Sequence, residues 1–329
     1  MTTVLAEPLR STPMISVVGG GISGLTVAVT LRRLGFAADV ITAERHHRTV
    51  SAVAGAIWTR VDAEPLADVR RWALHTREVL GGLLTDPSTG VHPLTMVEYE
   101  RADPGPTWWE STPYVERVPP AELPAAYAVG FRIDGTITVP AVHLAWLEDE
   151  LGRLGGTVRE RRVDRLTEVP GDLVVNCTGL GAASLVGDRS MFGIRGQLVL
   201  VRNPGIVVGR SDEDDPVDVA YVYPRPDGVV VGGSRIHADP SEREGDPDPA
   251  LTRRILADAM DLEPLLADPV VEGVRVGLRP GRPSVRVEAE RLTDGRWVVH
   301  DYGHGGCGYL LSWGCADEVA RFVLALDGR

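Results

Sequence analysis

Cysteine is scarce in this chain of 329 residues, and positive charge is in the minority: 34 Lys and Arg stand against 46 Asp and Glu. The formal net charge of −12 argues against nucleic acid or an anionic membrane surface as the main partner, and no basic arm contradicts this. Three cysteines, Cys177, Cys307 and Cys315, make no disulfide framework, and an odd number fits a reducing compartment. Long apolar runs are also missing. A stretch such as 227–233 (DGVVVGG) is strand-sized and far short of a membrane span. The first residues, MTTVLAEPLRSTP, have no apolar core of a signal peptide, and the last, LALDGR, carry no lipidation or peroxisomal signal. No repeat or low-complexity linker interrupts the chain. These absences lead to the expectation of a soluble cytoplasmic protein with a small-molecule partner; a homodimer is compatible with the composition, which leaves the oligomeric state open.

What is present begins at residues 14–36, MISVVGGGISGLTVAVTLRRLGF. Ile15–Val18 is a β-branched run suited to a buried strand, a glycine turn follows, and Leu25 to Leu34 place apolar residues at helical spacing. A second strand, Ala38–Ile41, follows and leads to Glu44, completing a βαβ unit. Residues 64–83 read as an amphipathic helix, 103–124 as an irregular Pro-rich stretch or a sheet edge, and 140–155 as a helix opened by a proline. The pattern predicts strands at 157–163 and 172–176. Residues 194–235 are strand-rich, with a hairpin around Pro226-Asp227-Gly228. A helix at 248–263 and strands at 271–278 and 296–300 precede a last helix over about 312–327, with Ser312 as its cap.

Gly19-Gly20-Gly21-Ile22-Ser23-Gly24 satisfies G-x-G-x-x-G between a strand and a helix. The glycines allow a tight turn and close backbone approach to a pyrophosphate, and the helix N-terminus favours its charge. Glu44 lies about 20 residues on, where ribose recognition requires an acid. The motif points to a dinucleotide without choosing between FAD and NAD; the alternative is a glycine turn in some other α/β protein. VVNCTG (174–179) is a strand running into a small-residue turn. In VGLRPGRPSVR (276–286), Pro280 and Pro283 stiffen the backbone around Arg279 and Arg282. A held guanidinium matches a carboxylate with two parallel hydrogen bonds, although most arginines are merely exposed.

With these motifs the chain resembles the FAD-dependent D-amino-acid oxidases, and the likeness runs from VVGGGISGL through AVAGAIW, VVNCTG, RGQ, YVYP and GLRPGRP to HDYGHGGCGYLLSWGCA. The resemblance implies an α/β fold in which a Rossmann-like FAD-binding domain (14–60, 140–195 and 285–329) is interleaved with a sheet-rich α+β substrate domain (61–139 and 196–284). It implies that Gly19, Gly20, Gly21, Ile22, Ser23 and Gly24 hold the pyrophosphate, with Glu44 on the ribose and Arg45 beside it. Thr49 and Ser51 match a phosphate-contacting stretch whose middle threonine is Val50 here. Gly55, Ala56 and Ile57 line the flavin, Val163 lies on the adenine side and Thr178 on the cofactor. Gly305, Gly308, Tyr309 and Leu310 face the flavin ring.

For the substrate, the resemblance implies an α-carboxylate held by Arg279 and Tyr221 and an α-amine held by the carbonyl of Gly306. Tyr223, two residues from Tyr221 on the same strand face, shapes the pocket or packs. Thr59 and Arg60 stand where many members have Gln-Pro or Trp-Pro. The implied reaction is oxidative deamination of D-amino acids with neutral or apolar side chains, with O2 as acceptor. An Arg60 reaching the pocket would favour D-aspartate or D-glutamate instead; an Arg60 paired with acids would not. A glycine or secondary-amine oxidase and a non-catalytic flavin protein are the other readings.

This chain departs from the family pattern at Asp301, where a neutral or weakly basic residue is usual, and at Cys307. The lid segment is the acidic stretch SDEDDPVDVA. No metal is expected: His300 and His304 are four apart without a helix between them, and no acid has the needed spacing.

Overall fold

The computed structural model describes residues 13–61, 63–212 and 219–328. Most of the acidic stretch read as a lid lies outside the described residues. In chain order the elements are β1 (Met14–Val18), α1 (Ile22–Arg33), β2 (Ala37–Thr42), β3 (Ile57–Trp58), α2 (Leu66–Leu83), β4 (Val91–Glu100), β5 (Val115–Arg117), β6 (Val129–Thr138) and α3 (Pro140–Arg153). These are followed by β7 (Val158–Glu160), β8 (Leu173–Asn176), α4 (Ala182–Leu185), β9 (Phe192–Val201), β10 (Gly209–Asp212), β11 (Ala220–Arg225), β12 (Gly228–Gly232) and β13 (Ile236–Ala238). The chain ends with α5 (Pro249–Leu262), β14 (Val271–Gly281), β15 (Arg286–Arg291), β16 (Trp297–Tyr302) and α6 (Gly308–Asp327).

Two sheets share one core. The first runs β15-β16-β8-β1-β2-β7, parallel except for the antiparallel edge pair β15–β16. The chain starts at β1 in the middle, moves out to β2 and β7, then returns to β8 on the other side of β1. That reversal opens a crevice at the C-terminal ends of β1 and β8, the usual ligand position in such a sheet. The second sheet runs β13-β9-β12-β11-β10-β4-β6-β3, with β14 along the other edge of β9 and β5 paired to β6. It includes β3 and residues 192–195 of β9. α5 covers one face through Val199, Val201, Val222, Val229, Val231 and Ile255. The opposite face, with Leu198, Tyr221, Tyr223, Met96 and Phe131, packs toward the first sheet in the main core.

The structure corrects the sequence expectations in two places. Between 60 and 140 the chain holds two long strands, β4 and β6, paired over ten residues each, where the expectation from sequence is only a helix and an irregular stretch. Pro93, Glu98 and Glu100 break the alternation of β4, yet it is an interior strand, flanked by β6 and β10. The last helix starts at Gly308, four residues before the expected cap. Ser312 lies buried inside it and donates to the carbonyl of Tyr309 at 3.0 Å. The glycine loop therefore runs straight into the first turn of α6. That helix lies close against α2: a Cβ at Gly314 would fall 2.2 Å from the carbonyl oxygen of Trp72.

Candidate active site

At the crevice the backbone is bare by necessity. Gly19 has φ +119, and a Cβ there would lie 2.3 Å from the carbonyl oxygen of Cys177 at the end of β8; one at Gly24 would lie 1.9 Å from the carbonyl oxygen of Gly19. Side chains are excluded so that β1, α1 and β8 can meet. The hydroxyl of Ser51 accepts from the N–H of Ile22 at 3.0 Å, and a Cβ at Gly21 would meet Ser51 Oγ at 2.9 Å and Thr49 Oγ1 at 4.0 Å. The turn thus presents an N-terminal helix end, short backbone approaches and two hydroxyls to one spot. This donor set fits a pyrophosphate. Ser23 sits in the first turn of α1, where its carbonyl accepts from Thr26.

The flanking cofactor candidates fall around this turn. Glu44 lies exposed just beyond β2, with its carbonyl accepting from Thr42 Oγ1 at 2.7 Å. The Glu244 carboxyl comes near Glu44, and burial together with that like charge pushes it above the usual carboxylate range. Arg45 is committed to Glu148 of α3, which also takes His46 Nδ1 at 2.7 Å. Val163 packs on a small cluster with Val18 and Ile41. Thr178 Oγ1 donates to Asn176 Oδ1 at 2.8 Å, and Asn176 is held in turn by His300 Nδ1 at 3.1 Å. The other ring nitrogen of His300 contacts Glu290 at 2.9 Å, so Nε2 carries the proton in the arrangement that satisfies both partners. Burial lowers the His300 pKa.

Gly55 faces open space where a Cβ would be. Ala56 takes φ 58, the one positive value among the described non-glycine residues, and its carbonyl accepts from Thr138. Ile57 opens β3. Gly305 donates to the carbonyl of Pro280 at 2.7 Å, and a Cβ at Gly308 would lie 3.5 Å from Ile22. The glycine loop therefore spans from the pyrophosphate turn to β14. Tyr309 and Leu310 do not leave their side chains in the crevice. Both are buried in the core, and the Tyr309 hydroxyl donates to the carbonyl of Ser51 at 3.0 Å, with burial raising its pKa far above the usual phenol range.

The substrate candidates converge on one face of the second sheet. Arg279 lies flat across Gly196 of β9, where a Cβ would fall 2.5 Å from the guanidinium carbon. Its Nη1 donates to the carbonyl of Ser234 at 2.9 Å. Among the described residues no carboxylate pairs with it. Arg282, by contrast, is tied to Asp188 at 3.0 Å. Burial works against the Asp188 anion, but the Ser190, Tyr302 and Arg282 hydrogen bonds outweigh it and hold its pKa well below normal. Tyr221 covers the two glycines just before Ser234: a Cβ at Gly232 would meet its hydroxyl at 2.2 Å. Tyr223 stacks on it at 4.8 Å. On the other side of Arg279, a Cβ at Gly306 would lie 3.8 Å from its Cδ. One guanidinium thus sits between the Tyr221 segment and the glycine loop.

Gly196 and Gly232 carry no sequence signal of their own beyond the place of Gly196 in RGQ. Their function is to leave room, and no motif marks that without the partner strand. Thr59 Oγ1 is buried without a hydrogen-bond partner among the described residues. Arg60 pairs with both Glu98 and Glu100 and lies 3.9 Å over the Phe131 ring. Burial opposes its charge, but the two glutamates prevail and raise its pKa. A groove of about 530 Å3 beside α2, with Arg70, Arg71 and Trp108 in its walls, is lined by none of these residues.

A two-sheet fold with a bare-backbone turn at the switch point of its parallel sheet, facing a held arginine on the second, defines a dinucleotide-dependent oxidoreductase. The model of the FAD dependent oxidoreductase family matches residues 14–322. A D-amino-acid oxidase of Rubrobacter xylanophilus is 42% identical over 93% of this chain and 94% of its own. One of Streptomyces coelicolor is 39% identical over 94% and 96%. Among solved structures, glycine oxidase from Geobacillus kaustophilus superposes with a TM-score of 0.80, covering 95% of both chains at 18% identity. The chain belongs to the D-amino-acid oxidase family of FAD-dependent oxidoreductases, and its cofactor is FAD. No helix of the described residues is long and apolar enough to cross a membrane.

Proposed function

We propose that this enzyme oxidatively deaminates D-amino acids with neutral or apolar side chains, in the cytoplasm, with O2 as the final electron acceptor. The observation that carries this reading is the Arg279 guanidinium, lying flat on Gly196 between the Tyr221 segment and Gly306, with a carbonyl rather than a carboxylate as its partner. Its remaining N–H groups form a fork for an α-carboxylate. Tyr221 adds a hydroxyl to the same carboxylate, and the Gly306 carbonyl accepts from the α-amine. Three fixed points on two substituents of Cα leave one enantiomer with its Cα–H directed away from the sheet and toward the crevice. FAD, when bound, would supply the two-electron acceptor for the hydride from Cα; with O2 as the final oxidant the products would be hydrogen peroxide and an imino acid that water converts to 2-oxo acid and ammonia.

The cofactor would be held by the 19–24 turn, Thr49, Ser51 and Thr178, with Glu44 on the ribose; the first sheet carries it and the second carries the substrate. No side-chain base is required if the amine binds neutral, since positioning does the work. His300 is buried between Asn176 and Glu290 and does not serve as one.

The acidic-substrate alternative needs a cation to spare in the side-chain pocket. Arg60 is on the same sheet face as Tyr221, but two carboxylates already claim it. A peroxide assay over both enantiomers of the common amino acids, glycine and sarcosine tests the reading. Turnover of neutral D-amino acids above all others is expected; preference for glycine or sarcosine, or for L-enantiomers, would overturn it.

A further inference from the structure

Beneath the glycine loop, three buried side chains of unlike chemistry come together. Asp301 lies near the end of β16, His304 stands three residues on in the turn before Gly305, and Cys315 faces them from α6. Their ligand atoms all lie within 4.8 Å of one another. They are 1%, 5% and 0% exposed. Cys177, at the end of β8, brings its Sγ to 3.8 Å from the other carboxylate oxygen of Asp301.

The Cys177 thiol donates to Asp301 Oδ2, but the atoms on the other side of the carboxylate are left over. Asp301 Oδ1 and His304 Nε2 approach to 3.1 Å, yet among the described residues neither makes a hydrogen bond. They are close without the N–H of one aimed at the lone pair of the other, as expected of two donors of electron pairs directed at a third centre. A buried carboxylate and imidazole left in this state are costly, and such pairs normally coordinate a metal or complete a network. Nothing in the proposed oxidation uses them.

We propose that Asp301, His304 and Cys315 form a site for a divalent cation, with the Cys177 thiol holding the second carboxylate oxygen of Asp301. Thiolate, imidazole and carboxylate together select zinc over calcium or magnesium, which take oxygen ligands. Tetrahedral zinc, with bonds of about 2.0–2.3 Å, closes the present spacing with small side-chain movements. Complete burial, away from the substrate arginine, makes the site structural rather than catalytic. It staples the end of β16 to the glycine loop and to α6, and the Cys177–Asp301 hydrogen bond extends the link to the end of β8. Asp301 supplies the anionic oxygen ligand at a position where the resembled pattern is neutral or weakly basic.

The test is zinc content of the FAD-loaded enzyme, as isolated and after chelation, zinc chloride addition and desalting, together with zinc-edge X-ray absorption. One zinc per chain with sulfur among its ligands is expected, and Asp301→Asn and Cys315→Ser should each weaken zinc affinity at least about tenfold. Zinc should raise the thermal unfolding midpoint of the parent enzyme and not that of either variant. A parent enzyme that retains no zinc, zinc without sulfur neighbours, or equal retention by both variants would overturn the site. Should a variant fail to fold, as read from loss of flavin absorbance, the absorption spectrum of the parent decides.

Discussion

At the scale of single residues, specificity rests on which arginine is already neutralised. Arg279 has a carbonyl partner and Arg282 a carboxylate, though they stand three positions apart in one motif. Arg279→Ala is expected to lower kcat/KM for D-alanine by roughly thirtyfold or more, from about 2–5 kcal/mol of lost charge pairing, with FAD content unchanged. Steady-state peroxide kinetics beside flavin absorbance check this. Arg60 gives the converse case. Two strand spacings, about 10 Å, separate the strand of Glu98 from that of Tyr221, where one charge is felt at about 1–2 kcal/mol before salt screening. Replacing both Glu98 and Glu100 by Gln should release the Arg60 charge and raise D-aspartate turnover relative to D-alanine several-fold; an unchanged ratio would remove Arg60 and its partners from the specificity account.

At the scale of elements, the site depends on where strands and loops omit side chains. Gly196→Ala would put a methyl 2.5 Å from the Arg279 guanidinium carbon. The expected result is a KM raised at least tenfold with FAD retained, because the guanidinium must lift off β9. A KM within twofold of the parent would mean that Arg279 has another resting place. The sequence disclosed the elements whose chemistry is contiguous: the strand–glycine turn–helix of 14–33, the VVNCTG exit and the loop after β16 each carry their function within a few residues. It concealed β4 because Pro93, Glu98 and Glu100 interrupt its alternation and only the neighbouring strands make it interior. By contrast, β6 carries a strand pattern in its sequence, with Val129, Phe131 and Ile133 alternating with Gly130, Arg132 and Asp134. The early start of α6 was hidden by glycines, which normally end helices rather than open them. The cluster of Asp301, His304 and Cys315 was likewise invisible as spacing, since a turn and a helix, not one periodic element, bring its members together.

At the scale of the whole molecule, burial of charge-capable groups sets the response to pH. His143 is buried in α3, its Nδ1 2.8 Å from the carbonyl of Thr89, and burial pushes its pKa down from 6.5 to about 4. The unfolded chain therefore takes up a proton that the folded chain refuses. Stability is undiminished above pH 6.5, falls as pH drops from 6.5 toward 4, and loses about 3 kcal/mol in all from this group. Urea unfolding of the FAD-loaded enzyme across that window should show the slope, and His143→Gln should flatten it. The central claim joins the two sheets: cofactor on the first, D-amino acid on the second, meeting at the glycine loop. Anaerobic mixing of the FAD-loaded enzyme with D-alanine and, separately, L-alanine tests this most directly. The account predicts that the flavin's visible absorbance bleaches with the D-enantiomer and persists with the L-enantiomer; bleaching by L-alanine, or none by any neutral D-amino acid, would contradict it.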